Sequence, residues 1–323
     1  MPHAIRIHKP GGPEVLSWEE IAVGDPGPGE IRVRHTAVGL NYIDTYHRSG
    51  LYKLEYPAVI GMEGAGVVEA VGEGVTQLRP GDRIAYGTSL GAYAEVRLMP
   101  AEKAIKLPDS IDDRTAAAMM LQGMTVEYLV RRTYKVQPGD TVLLHAAAGG
   151  IGLIASQWLN HLGATVIGTV GSEEKAEIAR AHGCHHVINY RTQDFVAEVK
   201  RITGGEGVPV VYDGVGKDTF LPSLDCLRPR GLMVSFGNAS GPVPPFDILT
   251  LSAKGSLFLT RPTLNTYTAT RADLEESANS LMNVVASGAV KIEVNQTYPL
   301  REAAQAHRDL ESRRTTGSTV LLV

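Results

Sequence analysis

The chain has 323 residues, of which 43% are hydrophobic and 20% are charged, a composition typical of globular proteins that bury a substantial core. At about 100–200 residues per domain, this length predicts two domains. The formal net charge of -4 argues against a general nucleic-acid-binding protein, because nonspecific binding relies on a basic surface.

The two cysteines, Cys184 and Cys226, do not indicate a disulfide framework, and they cannot build a four-cysteine zinc lobe. The first ten residues contain no apolar signal core, and no segment supplies the roughly 18 continuous apolar residues that a spanning helix needs. The sequence therefore predicts a protein of the reducing cytoplasm that has no membrane segment.

Residues 1–124 are predicted to be mostly β. Short runs rich in branched residues occur at 31–40, 64–72 and 82–87, and turn sequences rich in Gly, Pro and Asp separate them. Short strands at such close spacing indicate a compact barrel-like or sandwich unit.

The pattern changes near residue 125, where strands and helices begin to alternate. Residues 140–148 are predicted to be a buried strand, 152–163 a helix, 164–170 a strand, and 172–183 a helix with Ser172 as its N-cap. Further strands are predicted at 185–190, 208–216 and 231–237. This alternation predicts a parallel sheet that helices cover on both faces.

The last part of the chain is mixed. Residues 270–288 and 301–313 are predicted to be helical, and 319–323 form a terminal strand. Such a segment could return to complete the first domain.

The strongest local signal is the sequence AAAGGIG at 146–152, between a predicted strand and a predicted helix. Ala147, Gly149 and Gly152 match the spacing G-x-G-x-x-G, with alanine in the first place. Small residues there allow a tight turn, backbone approach to a pyrophosphate and close helix–strand packing, and the helix N-terminus favours the phosphates. A purely structural turn is the alternative. The βαβ context favours a dinucleotide site.

The next strand bears on the choice of dinucleotide. NAD sites usually place an acid at its tip, about 20 residues after the glycine loop, whereas this strand ends TVGS at 169–172. Glu173 and Glu174 follow in the first turn of a helix, where acids are favoured in any case. Lys175 could bind a 2′-phosphate, although a solvated helix cation is the alternative. Together these features predict NADPH.

The whole chain resembles the medium-chain dehydrogenase/reductase superfamily and, within it, the zinc-independent quinone oxidoreductases. The resemblance implies a Rossmann doubly wound parallel sheet plus a GroES-like, mainly β catalytic domain. It places the catalytic domain at 1–124, the NADPH-binding domain at 125–261, and a return segment that completes the catalytic domain at 262–323. The strings that carry it are HKPGGPEVL (8–16), GLNYIDTYHRSGLY (39–52), AAAGGIGLIASQW (146–158), VVYDGVG (210–216), LMVSFGNASG (232–241) and SRRTTGS (312–318).

The resemblance also implies cofactor contacts, in a cleft between the two domains, and a homodimer paired through the nucleotide domain. The 2′-phosphate would lie among Lys175, Tyr190 and Arg313. The implied contacts are Asn41, Tyr42, Thr45, Tyr128, Gly149, Gly150, Ile151, Gly171, Ser172, Lys175, Tyr190, Phe236, Gly237, Asn238 and Arg313.

The ligands of zinc alcohol dehydrogenases are missing. Those enzymes carry a cysteine in a loop that corresponds to NYIDTY at 41–46 of this chain. They also carry the sequence Gly-His-Glu in a later loop. At the corresponding position of this chain Met62 replaces the histidine and leaves Glu63 without a partner. The sequence therefore predicts no catalytic metal.

Reduction of a quinone by NADPH without a metal needs hydrogen-bond donors at the quinone oxygens, where negative charge develops. Asn41, Tyr46 and Tyr52 are the predicted catalytic residues, with ordinary loop packing as the alternative for the two tyrosines. Asp44 either caps a turn or orients a neighbour.

Two other functions stay open. An NADPH-dependent enone or alkenal reductase would transfer the same hydride to an activated C=C bond, and fold and cofactor do not fix the substrate. An NADPH-binding protein with a structural or RNA-associated role belongs to another class, and the acidic net charge weighs against it.

Overall fold

In the computed structural model, which describes residues 1–323, the chain divides into two compact units. The β unit comprises residues 1–124, 268–286 and 292–323, and the α/β unit comprises 125–267 and 287–291.

The strands, in chain order, are β1 (His3–Ile7), β2 (Ser17–Glu20), β3 (Glu30–Leu40), β4 (Ala58–Val59), β5 (Glu63–Val71), β6 (Arg83–Tyr86), β7 (Val96–Pro100), β8 (Ile105–Lys106), β9 (Thr141–Leu144), β10 (Thr165–Val170), β11 (His186–Asn189), β12 (Val208–Asp213), β13 (Leu227–Ser235), β14 (Phe258–Thr260), β15 (Val294–Pro299) and β16 (Ser318–Leu322).

The α-helices are α1 (Tyr42–Ser49), α2 (Asp113–Ala117), α3 (Met120–Tyr128), α4 (Gly150–His161), α5 (Glu173–Ala181), α6 (Phe195–Ile202), α7 (Phe220–Ser223), α8 (Leu249–Ala253), α9 (Leu264–Tyr267), α10 (Arg271–Ala286) and α11 (Ala303–Glu311). Short 3-10 helices occur at Pro13–Val15, Ala101–Lys103, Leu224–Cys226 and Leu300–Glu302, and a π-helical turn at Leu129–Thr133. None of these helices combines the length and the apolar character that crossing a bilayer requires.

The β unit is built on a sheet in the order β15-β16-β3-β5-β6-β8, to which β7 adds by pairing with β3. In β3 the alternation of side chains buries Ile31 and Val33 and leaves Arg32 and Arg34 outward, as expected for a strand with one face on a core. Strand β16 pairs antiparallel with the end of β3, residue Leu322 opposite Ala37, so the C-terminal strand completes this sheet.

The α/β unit contains a six-stranded sheet in the order β11-β10-β9-β12-β13-β14, and every neighbouring pair is parallel. Counted from β9, this is the order 3-2-1-4-5-6 of the doubly wound dinucleotide-binding fold, so the predicted parallel sheet is confirmed. The strand order reverses between β9 and β12, and ligands bind such folds at the carboxyl ends of the strands beside that reversal.

Two element predictions need correction. The strand predicted at 140–148 ends at Leu144, because Ala146 takes a left-handed conformation with φ 55° and the chain turns towards α4. The first 124 residues also contain helices that the sequence analysis did not predict. One of them, α1, begins after its N-cap Asn41, whose N–H donates to the Asp44 carboxylate, and it carries the candidate Tyr46.

The predicted return segment, 262–323, differs from the units observed. Residues 262–267 and 287–291 belong to the α/β unit. The physical reason for the first stretch is that it follows β14, the last strand of the parallel sheet, and ends at Tyr267, whose ring stacks on Tyr128 with centroids 4.4 Å apart.

Candidate active site

The predicted phosphate loop connects β9 to α4 in the α/β unit. Gly149 is the N-cap of α4, with extended φ −82° and ψ 173°, and no side chain caps the helix. A Cβ on Gly152 would lie 2.3 Å from the carbonyl oxygen of Ala146, so this position packs against the loop as only glycine can. The first N–H groups of a helix have no intrahelical partners, and here no side chain caps them. The loop can therefore bind an anion.

A buried hydrogen-bond network lies beside this loop. His145, which follows β9, contacts Thr169 through Nδ1 at 2.9 Å and Ser223 through Nε2 at 2.8 Å. At the end of β12, the buried carboxylate of Asp213 accepts a hydrogen bond from the Thr219 hydroxyl at 2.9 Å. His145 is thus a packed core histidine, and the network fixes the carboxyl ends of β9, β10 and β12.

Four residues predicted to hold the adenosine side of the cofactor lie together at the end of β10. Ser172 caps α5, as predicted, because its Oγ accepts the N–H of Lys175 at 3.3 Å. The N–H of Tyr190 donates to the Val170 carbonyl at 3.1 Å. A Cβ on Gly171 would lie 2.6 Å from the Tyr190 hydroxyl, so the tyrosine covers this glycine.

The other predicted residues of the α/β unit lie further along the sheet. Tyr128 is buried, its ring is stacked on Tyr267, and burial raises the pKa of its hydroxyl. Residues 236–238 follow β13, and a Cβ on Gly237 would lie 2.4 Å from the Gly214 carbonyl oxygen. That close approach brings the loop after β13 against the loop after β12.

In the β unit, α1 brings the candidate tyrosines together. The rings of Tyr46 and Tyr52 meet edge to face with centroids 5.4 Å apart, and the N–H of Tyr52 donates to the Tyr46 carbonyl. Tyr42 lies on the same helix, 6.5 Å from the Tyr46 ring, and the Thr45 hydroxyl donates to the Tyr42 carbonyl. Arg313 follows α11 in this unit, with φ 60°.

Asn41, the N-cap of α1, is held by side chains on both sides of its amide. Its Nδ2 donates to Glu63 Oε2 at 2.7 Å, and its Oδ1 accepts from Gln122 Nε2 at 3.1 Å. The expectation that Glu63 lacks a partner is wrong, because its other oxygen accepts the N–H of Leu121 at 2.8 Å. Burial raises the pKa of Glu63 to about 8, although the Asn41 and Leu121 donors act in the opposite direction.

Asp44 performs both of the roles considered for it. Its Oδ2 accepts the backbone N–H of Asn41 at 2.9 Å, which caps α1, and the hydroxyl of Tyr93 at 3.1 Å. Burial raises the pKa of Asp44 to about 7, and the hydrogen bonds from Asn41 and Tyr93 oppose that shift.

A directed chain of hydrogen bonds continues from Tyr93. Arg48 can only donate, so its 2.9 Å contact with His307 makes Nδ1 of that ring the acceptor. The Nε2–H of His307 then donates to the Tyr93 hydroxyl at 3.1 Å, and Tyr93 donates to Asp44. Burial, and then the positive charge of Arg48, lower the pKa of His307 to about 3, so the ring is neutral. Arg48 also pairs with both oxygens of Glu311, which ties α1 to α11.

The sequence analysis named Glu63 but not its partners, and it missed Gln122, Tyr93 and His307. A charged residue opening a strand of buried glycine and valine was a signal for Glu63. The other three give none, because each meets its partner only after folding, and His307 contacts Tyr93 across 214 residues of sequence.

The surroundings of Glu63 do not fit a zinc ion. Both of its oxygens accept N–H groups, its neighbours on either side are Met62 and Gly64, and no cluster of three or more His, Cys, Asp or Glu in residues 1–323 could hold a metal. Zinc in proteins takes thiolate, imidazole and carboxylate ligands.

Two family models match the chain. The alcohol dehydrogenase GroES-like domain matches residues 27–109, which lie in the β unit. The zinc-binding dehydrogenase model matches residues 150–282, and most of that range lies in the α/β unit.

Relatives match over nearly the full length. A quinone oxidoreductase of Pseudomonas aeruginosa is 54% identical, covering 97% of each chain, and a 2-haloacrylate reductase of Burkholderia is 53% identical, covering 98% of this chain and 97% of the other. The crystal structure of Escherichia coli quinone oxidoreductase complexed with NADPH superposes with a TM-score of 0.98, at 50% identity, covering 99% of this chain and 100% of that one. The chain is therefore an oxidoreductase that belongs to the quinone oxidoreductase family of the medium-chain dehydrogenase/reductase superfamily.

Proposed function

We propose that this enzyme reduces quinones with NADPH by hydride transfer and without a metal ion. The observation that carries the proposal is the phosphate loop. Helix α4 begins at Gly150, and no side chain caps its N-terminus. This terminus follows β9, where the order of strands in the parallel sheet, 3-2-1-4-5-6, reverses. The similarity to an NADPH-bound quinone oxidoreductase structure supports the choice of cofactor and substrate class.

The residues fit an NADPH molecule. The first turn of α4 offers backbone N–H groups to a pyrophosphate, and Gly149 leaves room for its approach. At the end of β10, Lys175 follows a Ser172 cap, and no acid stands at the tip of the strand to hold an unphosphorylated ribose. We infer that Gly171, Ser172, Lys175 and Tyr190 hold the 2′-phosphate side, together with Arg313. The nicotinamide side is assigned to Tyr128, Phe236, Gly237, Asn238, Asn41, Tyr42 and Thr45.

When bound, NADPH supplies the hydride. The protein then has to stabilise negative charge on the acceptor oxygens, and donors fixed in a buried site do this with little reorganisation. Asn41 has a second amide hydrogen besides the one that it donates to Glu63. The neighbouring side chains of Tyr46 and Tyr52 each offer an aromatic ring and a hydroxyl group, which suit a flat acceptor. The family name of zinc-binding dehydrogenases implies zinc, but the donors around Glu63 do not fit that ion, so no step is assigned to a metal.

A second candidate is the reduction of an activated C=C bond, which the 53% identity to a 2-haloacrylate reductase favours. An α,β-unsaturated acceptor also develops negative charge on oxygen after hydride addition, so the same donors serve both reactions.

A screen of acceptors separates these candidates. NADPH oxidation is followed by absorbance with 1,4-benzoquinone, an α,β-unsaturated ketone and 2-chloroacrylate, each repeated with NADH. We expect the quinone to give the highest kcat/KM, with NADPH preferred over NADH. Efficient turnover of an unsaturated acceptor with inert quinones would replace the proposal by the second candidate. Tight NADPH binding without any acceptor would favour a structural or RNA-associated role.

Lys175→Ala should weaken NADPH binding by about 1–3 kcal/mol and barely change NADH binding, because a charge-assisted contact to the 2′-phosphate is lost. Both dissociation constants can be measured by titrating the fluorescence of the reduced cofactor. Lys200→Ala, an exposed lysine on α6 of the same unit, is the matched control. Equal losses for both cofactors would contradict the assignment of Lys175.

We also propose that the enzyme is a cytoplasmic homodimer paired along β14. This strand is the last of the parallel sheet, and its Phe258 and Leu259 are 61% and 38% exposed. Ile248 and Leu249 nearby in sequence are 73% and 68% exposed, and an open sheet edge with apolar side chains is a template for pairing. A mass in solution of one 34.6 kDa chain, measured by light scattering, would oppose the dimer.

A further inference from the structure

The side chain of Asn41 is part of a chain of buried hydrogen bonds in which the donors and acceptors can exchange roles. From one end, Glu63 Oε2 is 2.7 Å from Asn41 Nδ2, Asn41 Oδ1 is 3.1 Å from Gln122 Nε2, and Gln122 Oε1 is 2.9 Å from Ser318 Oγ. Ser318 Oγ is also 3.1 Å from the carbonyl oxygen of Ala118. All of these residues belong to the β unit.

The arrangement as it stands requires an ionised Glu63. Its Oε1 accepts from the Leu121 N–H and its Oε2 accepts from Asn41, so both oxygens act as acceptors. Gln122 then donates to Asn41, and the single hydroxyl hydrogen of Ser318 is given to Gln122.

The same heavy atoms also satisfy a reversed arrangement. A protonated Glu63 would donate from Oε2, and an amide turned by half a rotation would present its oxygen there, since amide oxygen and nitrogen are nearly the same size. Asn41 would then donate to Gln122 and Gln122 to Ser318. The Ser318 hydroxyl would donate to Ala118, whose carbonyl oxygen already lies within reach. In both directions every side-chain oxygen and nitrogen that links Glu63, Asn41, Gln122 and Ser318 keeps a partner, and only the hydrogen bond from Ser318 to the Ala118 carbonyl is gained or lost.

We propose that Glu63 and Gln122 are positioning residues that set the orientation of the Asn41 amide, and that the enzyme is active when Glu63 is ionised. This inference rests on the proposed function, in which Asn41 donates to an acceptor oxygen that gains negative charge. With Glu63 ionised, the amide nitrogen and its second hydrogen stand beside Glu63. With Glu63 protonated, the amide oxygen occupies that place and would repel the developing oxyanion.

The groups around Glu63 place its titration within the working range of pH. Asp44 on α1, Tyr86 on β6 and Tyr93 interact with it, and His35 on β3 contacts Tyr86. The pKa values of both tyrosines are raised, chiefly by burial, and burial lowers that of His35 to about 4, so these three are neutral near pH 7. Burial, with a smaller contribution from Asp44, raises the pKa of Glu63 to about 8. The ionised fraction therefore grows as the pH rises from 6 to 9.

The test is the pH dependence of kcat, measured with a quinone and saturating NADPH in the wild type and in Glu63→Gln. In this variant the Leu121 N–H holds the amide oxygen of residue 63, so the amide nitrogen must donate to Asn41 and fixes the reversed orientation. We expect the wild-type kcat to rise at least about tenfold between pH 6 and 9, with a midpoint above 7, and the variant to stay flat at the low level, a difference of about 1.4 kcal/mol in barrier. Glu69→Gln, the same change on the outward part of β5, should keep the wild-type profile.

A second measurement does not depend on whether the variant folds. In infrared difference spectra of the wild type, the buried carboxyl groups of Asp44 and Glu63 should lose their protonated bands in two steps, and the step with the higher midpoint, which belongs to Glu63, should coincide with the rise in kcat. A wild-type kcat that is independent of pH, a variant that keeps the wild-type profile, or the absence of any carboxyl step that coincides with the rise in kcat would each overturn the inference. Absence of NADPH oxidation with every acceptor would instead refute the proposed function, and the infrared titration would still report on Glu63.

Discussion

Replacing Gly149 by alanine should leave the protein folded and weaken NADPH binding about 10- to 100-fold. Its φ of −82° and ψ of 173° suit alanine, and the added Cβ would meet only one other protein atom within 4 Å, the Ala146 carbonyl oxygen at 3.3 Å. The methyl group would stand where backbone must approach the pyrophosphate. Loss of hydrogen bonds to a charged group costs about 1.5–3 kcal/mol, which corresponds to this range in affinity. Fluorescence titration with NADPH measures the change.

Two other glycines make the interpretation specific. Gly152→Ala should reduce the free energy of unfolding, because its Cβ would lie 2.3 Å from backbone in the same loop. Gly24→Ala should change neither binding nor stability, since no other atom lies within 4 Å of the new Cβ. If Gly149→Ala bound NADPH as tightly as the wild type, the loop before α4 would not be the pyrophosphate site.

Arg48→Met should lower the free energy of unfolding by about 2–4 kcal/mol, because it removes the donor of several hydrogen bonds at a buried position. Arg48 is 3% exposed and donates to the Gly11 carbonyl, to His307 and twice to Glu311. Methionine fills a similar volume but donates nothing, so the buried His307 ring and the half-buried Gly11 carbonyl lose their donor. Urea or thermal unfolding of the apoprotein measures the loss.

The surface pair of Arg180 and Glu173 provides the comparison. Their side chains are 50% and 67% exposed at a separation of 3.0 Å, and such pairs contribute at most about 1 kcal/mol. Arg180→Met should therefore be nearly neutral. A similar, small effect for both arginines would mean that the bonds between α1 and α11 contribute little to stability.

Much of the fold could be predicted because the local patterns agree with the tertiary structure. The strand predicted at 164–170 is β10, and Ser172 caps α5 as its position suggested. Buried parallel strands appear as continuous apolar runs, and such runs need no knowledge of their neighbours. The end of β9 could not be placed, because the left-handed conformation of Ala146 has no signature in an alanine-rich run.

The candidate site could be predicted only in part, and for a physical reason. Glycine loops and helix caps act through nearby backbone, so a few consecutive residues are enough to indicate their function. The network around Asn41 joins residues that are separated by 22, 81 and more positions in the sequence. The sequence does not distinguish a glutamine or serine of such a network from any other glutamine or serine. Glu63 was noticed in the sequence only because the histidine expected before it is absent, and its partner Asn41 directly follows β3.

The pairing of β16 with β3 has a consequence for synthesis on the ribosome. The edge formed by Ala37, Val38, Gly39 and Leu40 waits for residues 319–322, which are translated about 280 residues later. At about 5–20 residues per second, that strand edge stays open for on the order of 15–55 s, during which the entire parallel sheet emerges and can fold. The unit that is translated first is thus the one that finishes folding last, and chaperones that protect open strand edges have most to act on before β16 arrives.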